Sequence, residues 1–337
     1  MNILHLTTTD PAGAVYNFVN ALNVHTPHTA RLITTHRIPE FNFQTDVHWI
    51  FDAGDEIEAL LEQADVIHMH KEKLNFKIEL NMPKAGIKRI FSVQELLKKY
   101  PNKKVLYHIH GHPYERGYVK ENAEEYASMR ARVLTSTPDL EEMYRPYYKD
   151  VTYFPNCVPV FDVHYMPRPT DKPVIGTDGK ECWIVSQTPT NNLLKDVALI
   201  EDAVKEASKI GIPVAYNKIM GVSQEMALRQ KRISHIVFDH VQGYYGLSSL
   251  EGLSMGKPVI AGLSEYSLDA IHKFFKLDSP HPWVVARTQQ EITQKIVELC
   301  RDIDKRRAIG SYGRKFMEEV WNDRIIAKRL AILYSSL

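Results

Sequence analysis

Cysteine is scarce in this sequence, three residues in 337. Cys157, Cys182 and Cys300 are odd in number and widely spaced, and none forms a CxxC or metal-ligand pattern, so they read as free thiols of a reducing compartment. An excess of charge of either sign is also lacking. Forty-two Lys and Arg against 41 Asp and Glu leave a net charge of +1, which provides no global field to recruit nucleic acid or an anionic membrane. The local cluster Lys305, Arg306 and Arg307 fits a solvated helix face. No apolar run approaches the roughly 20 residues that cross a bilayer, and Met1–Leu6 lacks the basic and long apolar stretches of a signal peptide. These absences together point to the cytoplasm. No repeat or low-complexity tract breaks the chain, and no HExxH motif or G-x-S-x-G elbow supports hydrolase chemistry.

What is present is alternation. Ile3–Leu6, Ala30–Ile33, Asp65–Met69, Val105–His110, Val133–Ser136 and Val151–Phe154 read as strands. Helical patterns separate most of them: Val15, Phe18, Val19 and Leu22 on one face, then Glu56–Gln63, Val93–Tyr100, Glu121–Arg130 and Asp139–Tyr144. That order predicts a doubly wound, mostly parallel sheet. Pro155, Pro159, Pro167, Pro169 and Pro173 crowd the stretch to Asp178 and make it a linker rather than a strand or helix. Alternation restarts with strands at Cys182–Ser186, Val214–Lys218, His235–Phe238 and Pro258–Ala261. Helices lie at Val197–Ile210, Gln224–Arg232 and from about Ser248, and the tail from Gln289 is largely helical. The chain is expected to form two Rossmann-like domains, 1–163 and 164–320, with a C-terminal helix at about 321–337 packing back on the first. Two such sheets facing one another would leave a cleft lined by strand ends, where loops expose backbone N–H groups.

The segment from Gly243 to Ile260 carries the most chemistry. Gly246 permits a close backbone approach, and Ser248 or Ser249 can cap a new helix. Its first-turn N–H groups suit a diphosphate, and Glu251, placed in that turn, could accept bonds from ribose hydroxyls. Gly256-Lys257-Pro258 ends the helix and restarts a strand. The same residues also fit an ordinary helix-to-strand unit in which Ser248 and Glu251 form a capping box.

This stretch resembles the donor-binding signature of family-4-like, retaining GT-B glycosyltransferases, a helix bearing a Glu followed by small-residue-Gly-Lys-Pro-Val. Thr188–Asp196, His235–Asp239, Ala64–His70, Tyr107–Gly111, Thr135–Leu140 and Phe154-Pro155-Asn156 resemble further elements of that family in the same order. The resemblance implies transfer of a sugar from a nucleoside diphosphate sugar to an acceptor that the sequence does not name, with retention and no metal or other cofactor. It implies a donor site of Gly13, Asn156, Asn192, Lys195, Tyr245, Gly246, Leu247, Ser248, Ser249 and Glu251. Glu251 would hold the ribose, Lys195 the pyrophosphate, and His110 would reach the donor sugar, making His110 and Glu251 the catalytic pair. Two positions depart from the family pattern: Gly243 stands where it has its first Glu, and Asn192 where it has a basic residue. Those departures keep open a catalytically silent nucleotide-sugar-binding protein, and the shared fold keeps open a sugar-nucleotide epimerase.

His108-Ile109-His110-Gly111-His112 places two imidazoles on one strand face. With no Cys nearby and Glu115 the one close carboxylate, no metal site is expected there. His68 and His70 read as packing or cleft-wall residues. The Asp302-Ile303-Asp304 match to a metal-binding Asp-x-Asp falls in the helical tail and reads as a solvated face.

Overall fold

The apolar runs of the first half become strands in which successive side chains point to opposite faces. In chain order they are β1 (Asn2–Thr7), β2 (Thr29–Thr34), β3 (Val47–His48), β4 (Val66–His70), β5 (Lys77–Met82), β6 (Ile87–Ser92), β7 (Lys104–Ile109), β8 (Arg132–Thr135) and β9 (Val151–Tyr153). Seven of them form a parallel sheet in the order β3-β2-β1-β4-β7-β8-β9. β5 and β6, which are not among the expected strands, instead form an antiparallel pair of their own. The computed structural model describes residues 1–10, 12–34, 46–48, 54–70, 77–82, 87–92, 98–111, 113–128, 131–176, 179–189 and 196–337. Most of the expected helix Val93–Tyr100 lies outside them.

Alternation divides the two faces of this sheet sharply. Leu4, Leu6, Ile67, Met69, Tyr107 and Ile109 pack with Ile57, Leu61, Tyr126, Leu140 and Tyr144 in one apolar core. The opposite face carries His5, His68, His70 and His108, all buried. Phe18 of helix Ala14–His25 and Tyr334 of helix Asp323–Ser335 pack against these histidines. The two helices are also tied by His25 Nε2 and Asp323 Oδ2 at 3.1 Å.

The chain divides into two units, Met1–Cys157 with Asp323–Leu337, and Val158–Asn322. The second unit adds β10 (Val174–Ile175), β11 (Glu181–Gln187), β12 (Val214–Lys218), β13 (Ile236–Phe238), β14 (Val259–Ala261) and β15 (Val284–Val285). Its sheet runs β10-β11-β13-β14-β15, with β12 on the other side of β11, and β10 alone antiparallel. Helices Val197–Lys209 and Gln289–Arg301 cover one face through Ile200, Ala203, Ile292 and Ile296. Helix Leu247–Ser254 covers the other, close to Val237 and Val259.

The proline-rich stretch is not a bare linker. It contains β10 and a 3-10 turn at Val163–Tyr165, and it is stapled along the second unit by buried cations. Proline removes N–H donors but leaves carbonyls that still need partners. Arg314 Nη1 donates to Val160 O, Tyr165 O and Ser254 O at 2.9, 3.1 and 2.6 Å. Lys257 Nζ donates to Arg168 O at 2.9 Å and Thr170 Oγ1 at 3.0 Å, and His235 Nε2 lies 2.9 Å from Lys172 O. Arg306 stacks over the Trp183 ring at 4.1 Å while Nη1 donates to Leu299 O. Burial, with Arg168, Arg232 and Arg306 nearby, pushes the Lys257 ammonium down to about 7.

An ammonium with a lowered folded-state pKa gives up its proton in the folded protein while the unfolded chain still holds one. Stability therefore rises with pH between about 7 and the unfolded value. Lys257→Met removes this dependence. From pH 7.5 to 9, wild type should gain about 1.4 kcal/mol per pH unit relative to the variant. Urea unfolding followed by tryptophan fluorescence reads this out, since Trp183, Trp283 and Trp321 all lie in the second unit. A constant difference between the two proteins over that range would refute the assignment.

Candidate functional site

In the second unit the segment Gly243–Ile260 forms a helix start held from outside. Gly246 is the N-cap of helix Leu247–Ser254 and supplies no side-chain cap; Asp239, just past the end of β13, takes that role. Its Oδ2 accepts Gly246 N–H at 2.5 Å and Ser249 Oγ–H at 2.7 Å. Neither Ser248 nor Ser249 is therefore the cap, and both lie inside the first turn. Ser249 N–H turns back to Gly246 O at 3.0 Å, which leaves the N–H groups of Leu247 and Ser248 at a helix start where no intrahelical acceptor exists. Helix geometry directs such groups, with the positive end of the dipole, toward an anion.

Glu251 is the fifth residue of the helix, past the first-turn place expected for it, and makes no capping box with Ser248. Its carboxylate is bound through Oε2 by the ammonium of Lys231, whose side chain is wholly buried. Lys231 Nζ also donates to Ser248 Oγ at 3.0 Å, and Ser248 Oγ lies 2.8 Å from Thr188 Oγ1. Helix Gln224–Arg232 thus fixes both Ser248 and Glu251 through its last turn. Lys231 escapes a reading of the sequence because it lies in a charged run, Arg229-Gln230-Lys231-Arg232, that looks like a solvated helix end.

The other expected donor residues fall into three groups. Leu247 and Ser248 are half-buried at the helix start, whereas the Tyr245 ring is fully buried between Trp283 at 5.7 Å and Trp321 at 5.2 Å. That side chain is committed to the core. Asn192 and Lys195 lie outside the described residues. Gly13 and Asn156 belong to the first unit. Gly13 is the left-handed N-cap of helix Ala14–His25 (φ 67°), where Asp10 Oδ2 accepts Tyr16 N–H at 2.8 Å, and Asn156 is buried.

Gly243 has φ +88°, a left-handed conformation open to glycine and strained for other residues. Its N–H donates to Gly262 O, and its carbonyl accepts Ser264 N–H and Ser267 Oγ–H, at 3.0, 2.8 and 2.7 Å. The backbone thus accounts for glycine where the family pattern has Glu.

In the first unit, register sets His5 beside His68 and His70 beside His108. His110 Nε2 lies 2.8 Å from His70 Nδ1, and His70 Nε2 lies 2.9 Å from His5 Nδ1. His5 Nε2 is 3.3 Å from Tyr334 Oη, which is 2.6 Å from His68 Nδ1. His108 Nε2 is 3.1 Å from Phe154 O. Burial, and for most of them the neighbouring imidazoles, pushes the pKa of His5, His68, His70 and His108 down, His5 and His108 to about 3. All four are neutral at pH 7. His68 and His70 are buried and packed as expected, and they join His5, His110 and Tyr334 through ring-nitrogen contacts. Asp302 caps the helix Ile303–Glu319 by accepting Lys305 N–H.

No protein-family model and no curated protein matches this sequence. Solved structures do share its fold. HepE of Anabaena, solved with UDP and glucose, is 14% identical, with 100% of both chains covered and a TM-score of 0.63. A sucrose-phosphate synthase of Thermosynechococcus elongatus is 14% identical over 100% of this chain and 98% of its own, with a TM-score of 0.61. An alpha-glucosyltransferase solved with UDP and a 13-mer DNA carrying an A:G mismatch is 11% identical over 99% and 100%, with a TM-score of 0.65. The fold is accordingly that of the GT-B glycosyltransferases, built from two Rossmann-like units.

Two substitutions test the second unit. Lys231→Ala leaves the Glu251 carboxylate uncompensated and should cost about 3–5 kcal/mol, whereas Lys231→Met with Glu251→Leu should cost much less than the summed single changes. Additive losses in urea melts would rule out the pairing. Gly243→Glu should destabilise by about 1–2 kcal/mol through its backbone, and an unchanged melt would contradict the strain.

Proposed function

We propose that this chain is a glycosyltransferase that moves a sugar from a uridine diphosphate sugar to an acceptor, with retention and without a metal ion at the diphosphate. The observation that carries this reading is the helix start at Gly246. Asp239 anchors it, Leu247 and Ser248 present N–H groups, and Lys231 holds the Glu251 carboxylate in one position. Charge builds on the departing diphosphate during transfer, and fixed N–H dipoles stabilise it with no reorganisation. The family resemblance assigns a further cation for the diphosphate to Lys195. Glu251 has a second carboxylate oxygen for a ribose hydroxyl while Lys231 holds Oε2. UDP is the favoured nucleotide because HepE and the alpha-glucosyltransferase, which share the fold, were solved with it.

The acceptor falls to the N-terminal unit in this reading, and its class is left to experiment. No helix among the described residues is long and apolar enough to cross a membrane. Three free cysteines, two of them buried, support a reducing compartment, and hence the cytoplasm.

Purified protein incubated with uridine diphosphate sugars and an acceptor panel should release UDP in step with glycosylated product. Sugar interconversion without transfer would favour an epimerase, and binding without turnover a silent binding protein. Glu251→Gln keeps an acceptor for Lys231 and removes the anion. By calorimetry it should bind UDP about tenfold more weakly, or about 1.4 kcal/mol. Unaltered affinity would remove Glu251 from the ribose.

A further inference from the structure

The histidines of the first unit present two sets of three whose ring nitrogens converge. One nitrogen from each of His5, His68 and His70, and likewise one from each of His70, His108 and His110, lie within 4.8 Å of one another. The positions of protons decide between the sets, because a neutral imidazole ligates only through the nitrogen that carries no hydrogen.

In the first set, His5 Nε2 and His68 Nδ1 both face Tyr334 Oη. The tyrosine has one proton. If it donates to His68, then His68 carries its hydrogen on Nε2 and has no lone pair to offer; if it donates to His5, then His5 carries its hydrogen on Nδ1. Either way one member is blocked.

The second set has no such conflict. A carbonyl only accepts, so His108 must donate Nε2–H to Phe154 O. That places a bare lone pair on His108 Nδ1, which is buried and has no hydrogen-bond partner among the described residues. Tyr334 Oη lies 2.6 Å from His68 Nδ1 and 3.3 Å from His5 Nε2, and the shorter contact favours donation to His68; His5 then passes its Nε2–H to Tyr334, and His70 its Nε2–H to His5 Nδ1. His70 Nδ1 is then a lone pair facing His110 Nε2 at 2.8 Å. Two ring nitrogens at that separation need one hydrogen or one cation between them, and a cation can take the place of a His110 Nε2–H.

We propose that His70 Nδ1, His108 Nδ1 and His110 Nε2 hold a divalent first-row metal ion of the zinc class in the N-terminal unit. Three neutral imidazoles with no thiolate suit zinc, and this ligand number leaves a fourth position for water or an oxygen ligand. Each buried ligand has the outer partner that such sites use to fix the tautomer: the Phe154 carbonyl for His108, and the His5–Tyr334–His68 chain for His70. Zinc–nitrogen bonds of about 2.0–2.1 Å in a tetrahedron set nitrogens about 3.3 Å apart, so the His70–His110 pair opens by about 0.5 Å. The run His108–His112 does not show this set by itself, because His70 is 38 residues before His108, and only the parallel pairing of β4 with β7 sets them side by side.

The full chain, stripped with chelator and titrated with zinc chloride or cobalt chloride, should bind one equivalent, with cobalt giving the visible bands of a four-coordinate ion. His110→Ala is the variant of choice because His110 is only half-buried and belongs to the second set alone. Its zinc affinity should fall about tenfold or more, with its circular-dichroism spectrum unchanged. His110→Cys should retain cobalt and add a thiolate-to-metal absorption band, which arises only if position 110 touches the ion. The proposal is overturned if the wild-type chain takes up neither ion at one equivalent, if His110→Ala binds zinc as wild type does, or if His68→Gln rather than His110→Ala abolishes uptake.

Discussion

A parallel sheet covered on both faces keeps its strands away from water, so every polar side chain placed on it must be answered from within the fold. In the first unit the answer is a chain of imidazoles closed by Tyr334 and the Phe154 carbonyl. In the second, Asp239 leaves the end of β13 and is answered by Gly246 N–H and the Ser249 hydroxyl. The same demand extends to the proline-rich strap, whose carbonyls meet Arg314, Lys257 and His235. Polar groups so tied are costly to move, because breaking one bond strands a buried partner. They hold the ligand-facing groups in place more firmly than apolar packing alone.

Much of the fold was legible from period and punctuation. Ile3–Leu6, Val214–Lys218 and Gln224–Arg232 are strands and helix close to where their apolar spacing sets them. The antiparallel pair of β5 and β6 is not among the expected strands, although Lys77-Ile78-Glu79-Leu80-Asn81-Met82 alternates with period two. Helix Glu265–Phe275 was also passed over, despite Ser264 at its N-cap accepting Ser267 N–H.

The site was legible only in part, for a physical reason. Gly246 and Glu251 announce themselves because a glycine before a helix and an acid upon it are local patterns. Lys231 lies 20 residues before Glu251, and nothing near it separates a buried ammonium from the exposed Arg229 two residues earlier, which pairs with Glu225. The histidines show the same limit. Their i, i+2 spacing gave their shared face, while the cross-strand register that makes neighbours of His5, His70 and His110 arises only when three strands pair.

The two departures from the family pattern bear differently on the donor. At Gly243 a carboxylate is missing because the left-handed turn favours glycine, and that turn is bound to Gly262, Ser264 and Ser267. Restoring Glu there would disturb the turn before it restored a sugar contact, so in the proposed function recognition of the sugar would draw on other groups. At Asn192 a cation is missing, and Lys231 does not replace it: its ammonium is occupied by Glu251 and Ser248, and its side chain has no exposed surface. What Lys231 contributes is indirect. It neutralises Glu251 near the helix start, and for the diphosphate proposed to bind there this would remove the repulsion of a like charge. In the proposed function, a carboxylate placed for ribose would otherwise oppose the phosphate that travels with it, and a buried ammonium would let one helix serve both.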